Sequence, residues 1–158
     1  MQTTTPDRQR PVAPAGLGLR LGAMLYDSLL LFAVSWALTA AEVGLRIWRE
    51  GEAAIRASGH AAAGGLWLQL PLCAGTVLFF GWFWTHWGRT LGMQAWRLRI
   101  EGPDGARPTW RQSLLRLLGA CVSVACLGAG YWAILFDPER RAWHDRWSAT
   151  RIVRVAAA

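Results

Sequence analysis

The sequence predicts an all-α membrane protein with two transmembrane helices, a third apolar segment and a short pair of β-strands. Of its 158 residues, 53% are hydrophobic, and eleven are tryptophan. The mean hydropathy is positive although the formal net charge is +7, and every basic residue is an arginine. A membrane protein combines these features because apolar spans supply the hydrophobicity, flanking arginines supply the charge, and tryptophans prefer the interface.

The first predicted transmembrane helix covers residues 17–44. This apolar run is longer than the core of a signal peptide, about 7–15 residues, and it contains Asp27, so we interpret it as a retained span. The preceding residues 1–16 are polar and rich in threonine and proline, which predicts a disordered tail. Residues 17–158 then form the membrane domain.

The second predicted span covers residues 65–87. Trp82, Trp84 and Trp87 cluster at its end, where the indole rings would meet the headgroup region. Pro71 lies near its start, and a kink is tolerated there if neighbouring groups satisfy the freed carbonyl.

The third apolar segment, residues 114–136, has two possible arrangements. Its length permits a single crossing, but Gly128 and Gly130 predict a break that suits a re-entrant segment or hairpin. With a re-entrant segment, nearly all arginines lie on one side of the membrane, as the positive-inside rule favours. Hydropathy alone favours the single span. We favour the re-entrant form and keep the single span as the alternative.

Two short segments alternate in hydrophobicity as strands do, at residues 96–100 and 150–155. They can pair only if both lie on the same side of the membrane. The sequence therefore predicts a two-stranded β pair together with the re-entrant topology.

Asp27 is the most informative candidate site residue. A charge in the middle of a span costs about 2.5–3.5 kcal/mol, so such residues face a bundle interior or a water-filled cavity. Arg20, seven positions earlier, lies on the same helix face, although snorkelling to the headgroups also explains its position. Function in transport and a buried ion pair that holds helices together are both consistent with Asp27.

Antiparallel packing of the spans suggests partners for Asp27. The end of the second span brings His86 to its level, and the third segment begins with Arg116 on the same side, so a carboxylate–histidine–arginine cluster is expected. His86 alone is more typical of an interfacial residue. His144 and Asp145 follow the third segment, where they are a weak catalytic signal.

Other functional classes find little support. No nucleophile–base set or metal-ligand spacing is present, and the three cysteines lie in apolar runs, so we expect neither enzymatic activity nor a cofactor or metal. The arginines bracket apolar runs and form no stripe, which argues against nucleic acid. The expected partners are the lipid bilayer, a small ion or solute, and a homo-oligomer or larger membrane complex. A stripe of small residues in the third segment could form a helix contact: Gly119, Ala120, Ser123 and Ala125.

Several motifs together resemble the RDD family. They are Arg20 with Asp27 in the first span, GRTLGM at residues 88–93, and the RxxHD sequence that ends at Asp145. The resemblance covers most of the chain and implies a small, multi-pass prokaryotic protein of the bacterial inner membrane with a proposed transport role, in some members cation/proton antiport. It implies functional roles for Arg20, Asp27 and Asp145. Met93 departs from the basic residue of many members.

Two functions follow as hypotheses. The first is a transporter or exchanger that uses the intramembrane Arg/Asp site. It would exchange a cation for a proton, or equally transport an anion bound by the arginines. The second is a non-transporting accessory subunit in which the same residues fasten the helices together. The sequence alone does not separate them.

Overall fold

The computed structural model describes residues 11–53 and 66–156, and the described chain is mostly helical, as predicted. In chain order the elements are β1 (Pro11–Pro14), α1 (Leu17–Glu50), α2 (Leu66–Trp87), α3 (Leu91–Ala95), β2 (Leu98–Glu101), α4 (Trp110–Ala125), α5 (Ala129–Trp132) with a 3₁₀ turn (Ala133–Leu135), α6 (Trp143–Trp147) and β3 (Arg151–Val155).

Helix α1 is the longest element. Its 34 residues extend about 51 Å at ~1.5 Å per residue, more than the ~30 Å hydrocarbon core of a bilayer. Within the described residues it is the helix that is long and apolar enough by itself to cross a membrane. It continues to Glu50, past the predicted end at residue 44, and an ion pair between Glu42 and Arg46 at i, i+4 supports this last part.

Helix α2 coincides with the second predicted helix and includes Pro71. The chain divides into two compact units. One comprises the residues up to Asp27 together with those from Phe80 onward, and the other comprises Ser28–Phe79. The second unit is built from the remaining parts of α1 and α2. Many of its apolar side chains are exposed, including those of Phe32 and Trp36. The candidate site belongs entirely to the first unit.

The third apolar segment is bent, as its glycines predicted. Helix α4 begins at a capping box in which Thr109 and Gln112 bond reciprocally, and it ends after Ala125. Gly128 then adopts a left-handed conformation with φ of 80°, which glycine adopts without steric cost. The following α5 and 3₁₀ turn are bent by 107° from α4, a geometry typical of a broken span or a re-entrant loop. The bend does not decide between the re-entrant segment and the single span, since a span can be broken at this point.

Three strands form one antiparallel sheet in the order β1-β3-β2. The predicted pair is confirmed: Leu98 lies opposite Arg154, and Glu101 opposite Arg151. The predicted disordered tail is wrong for residues 11–14, which form β1, while residues 1–10 lie outside the described chain. Prolines at both ends of β1 suggested disorder, but an edge strand tolerates proline because one row of its N–H groups needs no ladder partner.

The hydrophobic core of the first unit is small. It brings Ala15 and Ala23 near the start of α1 against Met93, Leu98 and Ile152. Trp84 of α2 also belongs to this core. Leu19, Phe80 and Leu117 are partly buried and pack against it. The core therefore joins α1, α2, α3 and the sheet around the polar groups described next.

Candidate functional site

The carboxylate of Asp145 joins three helices. It is fully buried on α6, where its Oδ2 accepts the backbone N–H of Ala142 at 3.0 Å and pairs with Arg20 Nη1 of α1. Its Oδ1 lies 2.5 Å from Arg116 Nη1 of α4. We call Arg20, Arg116 and Asp145 the Asp145 cluster.

All three guanidinium nitrogens of Arg20 are engaged. Besides the pair with Asp145, Nε donates to the carbonyl of Ala15 at 3.0 Å and Nη2 to the carbonyl of Arg140 at 2.7 Å. The side chain is only 2% exposed. Arg20 therefore fastens the start of α1 to the segment before α6, and it does not snorkel.

Arg116 is bound through one nitrogen. Its Nη1 contacts Asp145 and donates to Thr150 Oγ1 at 2.7 Å, just before β3. The guanidinium carbon lies 5.5 Å from the centre of the Trp84 ring, within the range of a cation–π interaction. Arg116 thus connects α4 with α2, α6 and the start of β3.

The two residues of the His144–Asp145 pair differ in charge state. Burial alone would raise the pKa of Asp145, but Arg116 and Arg20 hold that pKa well below its ordinary value, so the carboxyl group is ionised at neutral pH. Burial, and then Arg116, lower the pKa of His144 to about 3, so its imidazole is neutral. The His144 ring lies 4.9 Å from that of Tyr131 between centres, and within the described residues its Nδ1 has no hydrogen-bond partner.

Asp27 lies outside the Asp145 cluster and binds the GRTLGM segment. Its Oδ2 accepts the hydroxyl hydrogen of Thr90 at 2.5 Å, and its Oδ1 accepts the N–H of Gly92 at 2.8 Å. Thr90 is also the N-cap of α3, because its Oγ1 accepts the N–H of Met93 at 3.2 Å. A Cβ on Gly92 would overlap the carbonyl oxygen of Ala23, so α1 and α3 approach as closely as a glycine allows.

The expected cluster of Asp27 with His86 and Arg116 is therefore not formed. Arg116 pairs with Asp145, and the hydrogen bonds of Asp27 come from Thr90 and Gly92. His86 is exposed at the end of α2, stacked on Trp82 with 3.7 Å between ring centres. Stacking and a local contact with the carbonyl of Trp82 at 3.1 Å occupy His86 on its own helix.

A cavity of about 80 Å³ lies beside both groups. Its polar lining comes from six side chains: Arg20, Asp27, Thr90, Arg116, Tyr131 and His144. The remaining lining is apolar and includes Trp84, Met93 and Ala120. All six predicted site residues thus lie in the first unit. Four of them line the cavity, Asp145 contacts two of these four, and His86 is not among the lining residues.

Sequence reasoning missed several members of this site. Thr90 carried a usable signal, since a threonine directly before a short helical segment is a typical N-cap. Tyr131 and Trp84 carried none, because their place at the cavity depends on the bend after α4 and on packing between helices. Met93, which departs from the family pattern, is buried in the core and lines the cavity as an apolar residue.

The small residues predicted to form an oligomer contact are partly used within the chain. A Cβ on Gly119 would lie 2.9 Å from Cβ of His144, and one on Gly130 would overlap Ser123 Oγ. Gly119 and Ser123 are both buried. The close contacts of these two residues are therefore between α4 and the segments that follow it, which corrects their assignment to an intermolecular interface.

A metal site is not evident in the described ranges, where no group of three or more histidine, cysteine, aspartate or glutamate side chains is placed to hold an ion. Comparison with curated proteins and with solved structures finds no similar chain. The sequence profile of the RDD family, in contrast, matches residues 14–149. This match includes α1 with Arg20 and Asp27, the GRTLGM segment and α6 with Asp145. The chain therefore belongs to the RDD family.

Proposed function

We propose that this RDD protein is a component of membrane transport, without enzymatic activity, and that the cavity beside Asp27 and the Asp145 cluster is its solute site. One observation supports the proposal above all: four buried ionisable side chains, those of Arg20, Asp27, Arg116 and His144, line one cavity. Polar groups are costly within a membrane and typically mark the pathway of a substrate or ion.

Asp27 is the group in this site that is suited to carry a proton. The carboxylate of Asp145 is held ionised by two arginines, and the imidazole of His144 is neutral near pH 7. The hydrogen bonds to Asp27 come from a hydroxyl and a backbone N–H, and no guanidinium within the described residues pairs with it. Its charge can therefore change without breaking an ion pair.

Cation/proton exchange is the more specific form of this hypothesis. Asp27 would supply the exchanging carboxylate, as the family resemblance suggests. The two arginines at the cavity oppose the simple coordination of a cation by Asp27, because like charges repel at short range in a medium of low dielectric constant. The ion must therefore be identified by measurement.

The proposed topology has α1 and α2 crossing the bilayer and the α4–α5 segment re-entering it, in the bacterial inner membrane. The pairing of Arg20 with Asp145 and the joining of β1, β2 and β3 in one sheet support this arrangement, since both require a common side. Most arginines then share that side. Reporter fusions after Arg154 and after Gly51 test it: opposite sides are expected, and the same side for both would contradict it.

Flux in proteoliposomes tests the transport role. The natural chain is compared with Asp27→Asn while internal pH is followed after addition of Na⁺, K⁺ or Li⁺. We expect a cation-dependent pH change that Asp27→Asn abolishes in a folded, monodisperse protein. Asp104→Asn is the matched control, because Asp104 is exposed in the turn after β2 and its loss should leave the flux unchanged. If the natural chain and both variants transport neither cations nor anions, the result would count against a transport role.

An accessory role in a larger membrane complex is the second candidate. The observation that favours it is that all four carboxylate oxygens of Asp27 and Asp145 already contact groups of the same chain. Such contacts fasten a fold without needing a solute. In that case Asp27→Asn should lower stability without a separate loss of flux.

Association with other chains is part of both candidates, because two spans and a hairpin provide few helices to enclose a pathway. The exposed apolar side chains of α1 face lipid or another subunit in this proposal. Chemical cross-linking in the native membrane distinguishes the forms: a ladder of identical subunits indicates a homo-oligomer, and products with other proteins indicate a complex.

A further inference from the structure

We propose that the cavity binds a small monovalent anion, of the size of chloride, nitrate or formate, with the guanidinium of Arg116 as its main ligand. This inference rests on the proposed solute site and names the class of solute that the site takes. It is carried by the unequal use of the two buried arginines, by an excess of positive charge in the Asp145 cluster, and by the small volume of the cavity.

Arg116 has hydrogen-bond donors to spare. Its Nη1 serves both Asp145 and Thr150, whereas its Nε and Nη2 donate to no described residue. Arginine carries five N–H donors and cannot lose its charge, so three donors on Arg116 face no acceptor in the described part of the chain. Arg20 contrasts with it, because each of its nitrogens is bound to Asp145 or to a backbone carbonyl.

The charges of the Asp145 cluster do not balance. Two guanidinium groups share one carboxylate, and the neutral imidazole of His144 adds no charge. The cluster therefore carries one net positive charge, which no acidic group of the cavity lining compensates when Asp27 is protonated. An isolated charge is costly to bury, and a bound anion at Arg116 would compensate it.

The neighbouring side chains suit an acceptor ligand. Trp84 lines the cavity beside Arg116, and its indole Nε1, which can only donate, is buried without a partner among the described residues. The cavity of about 80 Å³ compares with about 10–15 Å³ for each water position. It therefore has room for a small ion together with a few water molecules.

Asp27 at the cavity wall makes anion binding dependent on protons. An ionised Asp27 repels an anion, and a protonated one does not, so the anion and a proton should enter together. The other polar groups near Asp27 or at the cavity are Arg20 of α1, Thr90 and Gly92 at α3, Arg116 of α4, Tyr131 of α5 and His144 of α6, while α2 contributes the aromatic rings of Phe80 and Trp84.

Chloride binding by the purified full chain in detergent tests the proposal, measured as the broadening of the ³⁵Cl resonance at constant ionic strength, with gluconate replacing chloride. We expect broadening that nitrate or formate removes by competition. Arg116→Gln and Ala120→Leu should each weaken it about tenfold or more, the first by removing the donors and the second by filling the cavity. Arg111→Gln is the control, since Arg111 is an exposed arginine on the same helix.

The pH dependence of chloride binding provides a second test. Broadening should increase as pH falls in the natural chain, and Asp27→Asn should bind chloride without that dependence. If Arg116→Gln does not fold, Ala120→Leu decides, because it leaves every charge in place. Equal broadening in Ala120→Leu, Arg111→Gln and the natural chain, or no broadening in a folded natural chain, would overturn the proposal.

The outcome is separable from that of the proposed function. Chloride binding without flux of any ion would keep the anion site and reject transport. Cation flux without chloride binding would reject the anion site alone.

Discussion

Arg20 and Asp145 form a buried ion pair although 125 positions separate them in the chain. The same carboxylate also holds Arg116, so a single acidic group joins the beginning of α1 to α4 and α6. Burial removes all three side chains from water, and their mutual contacts offset the loss of hydration. Arg20 and Asp145, for which the family resemblance implied functional roles, thus have a direct physical role in the fold.

Asp145→Asn should destabilise the protein strongly. It leaves two buried guanidinium groups without a counter-charge, and breaking a buried ion pair costs about 3–5 kcal/mol. Unfolding by a denaturing detergent measures the change. Glu139→Gln is the comparison, since the pair of Glu139 with Arg141 is exposed and should contribute at most about 1 kcal/mol. Equal effects of the two substitutions would contradict the central role of Asp145.

His144 should make stability fall on mild acidification. Its pKa of about 3 in the folded protein lies below the ordinary value of 6.5, so between these values the unfolded chain binds a proton that the folded chain does not. Stability is therefore complete above pH 6.5 and decreases by about 1.4 kcal/mol per pH unit below it. His144→Gln should reduce this slope between pH 6.5 and 5, measured by chemical unfolding, while the exposed His86→Gln should not.

Asp145 should contribute no such dependence in that range. Its folded pKa is depressed, so its stabilising contribution is present above the ordinary value near 3.8 and is lost only at lower pH. A slope between pH 6.5 and 5 that persists in His144→Gln would show that another group titrates.

Thr90→Val should loosen the contact between α1 and α3. It removes the hydroxyl that donates to Asp27 and that caps α3, with an expected loss of about 1–3 kcal/mol in unfolding free energy. Thr90→Ser retains the hydroxyl and should retain most of the stability. Thermal unfolding of the two variants in the same detergent gives the comparison, and a loss in Thr90→Ser as large as that in Thr90→Val would contradict a special role of the hydroxyl.

Gly92→Ala should be poorly tolerated for a steric reason. The added Cβ would overlap the carbonyl oxygen of Ala23, so the backbones of α1 and α3 must separate. We expect a loss above about 2 kcal/mol, as for other changes that overfill a packed site. Gly18→Ala is the matched control on α1, where no atom lies within 4 Å of the new Cβ and helix propensity favours alanine by up to about 1 kcal/mol. A folded yield of Gly92→Ala equal to that of Gly18→Ala would refute the close approach.

Local patterns in the sequence predicted much of the fold. Apolar runs gave the helices α1 and α2, alternation gave the β2–β3 pair, and Gly128 gave the break after α4. Each of these signals lies in residues near one another in the chain, although the pairing of β2 with β3 joins distant segments. Strand β1 was missed for the converse reason: its prolines are compatible with a strand only because β3 supplies a partner from the far end of the domain.

The candidate site was predicted in its residues but not in its pairings. Charges in or beside apolar runs identified Arg20, Asp27 and Arg116, since burial of such groups requires compensation. The resemblance to the RDD family identified Asp145. Which charge pairs with which depends on the bend after α4 and on the position of α3, and the spacing of the residues specifies neither. The expected cluster of Asp27 with His86 and Arg116 was therefore wrong, and the pairing of Arg20 with Asp145 was not predicted.

The position of β3 in the middle of the sheet has a consequence for biosynthesis. Strands β1 and β2 both pair with β3 and not with each other, so neither has its neighbour until the ribosome has made Arg151–Val155. Arg20 likewise has no ion-pair partner until Asp145 has been translated, shortly before that strand. Helix α1 can enter the membrane early, but its first turns become fixed only at a late stage of translation. Until then the nascent chain carries two arginines whose shared carboxylate has not yet been made.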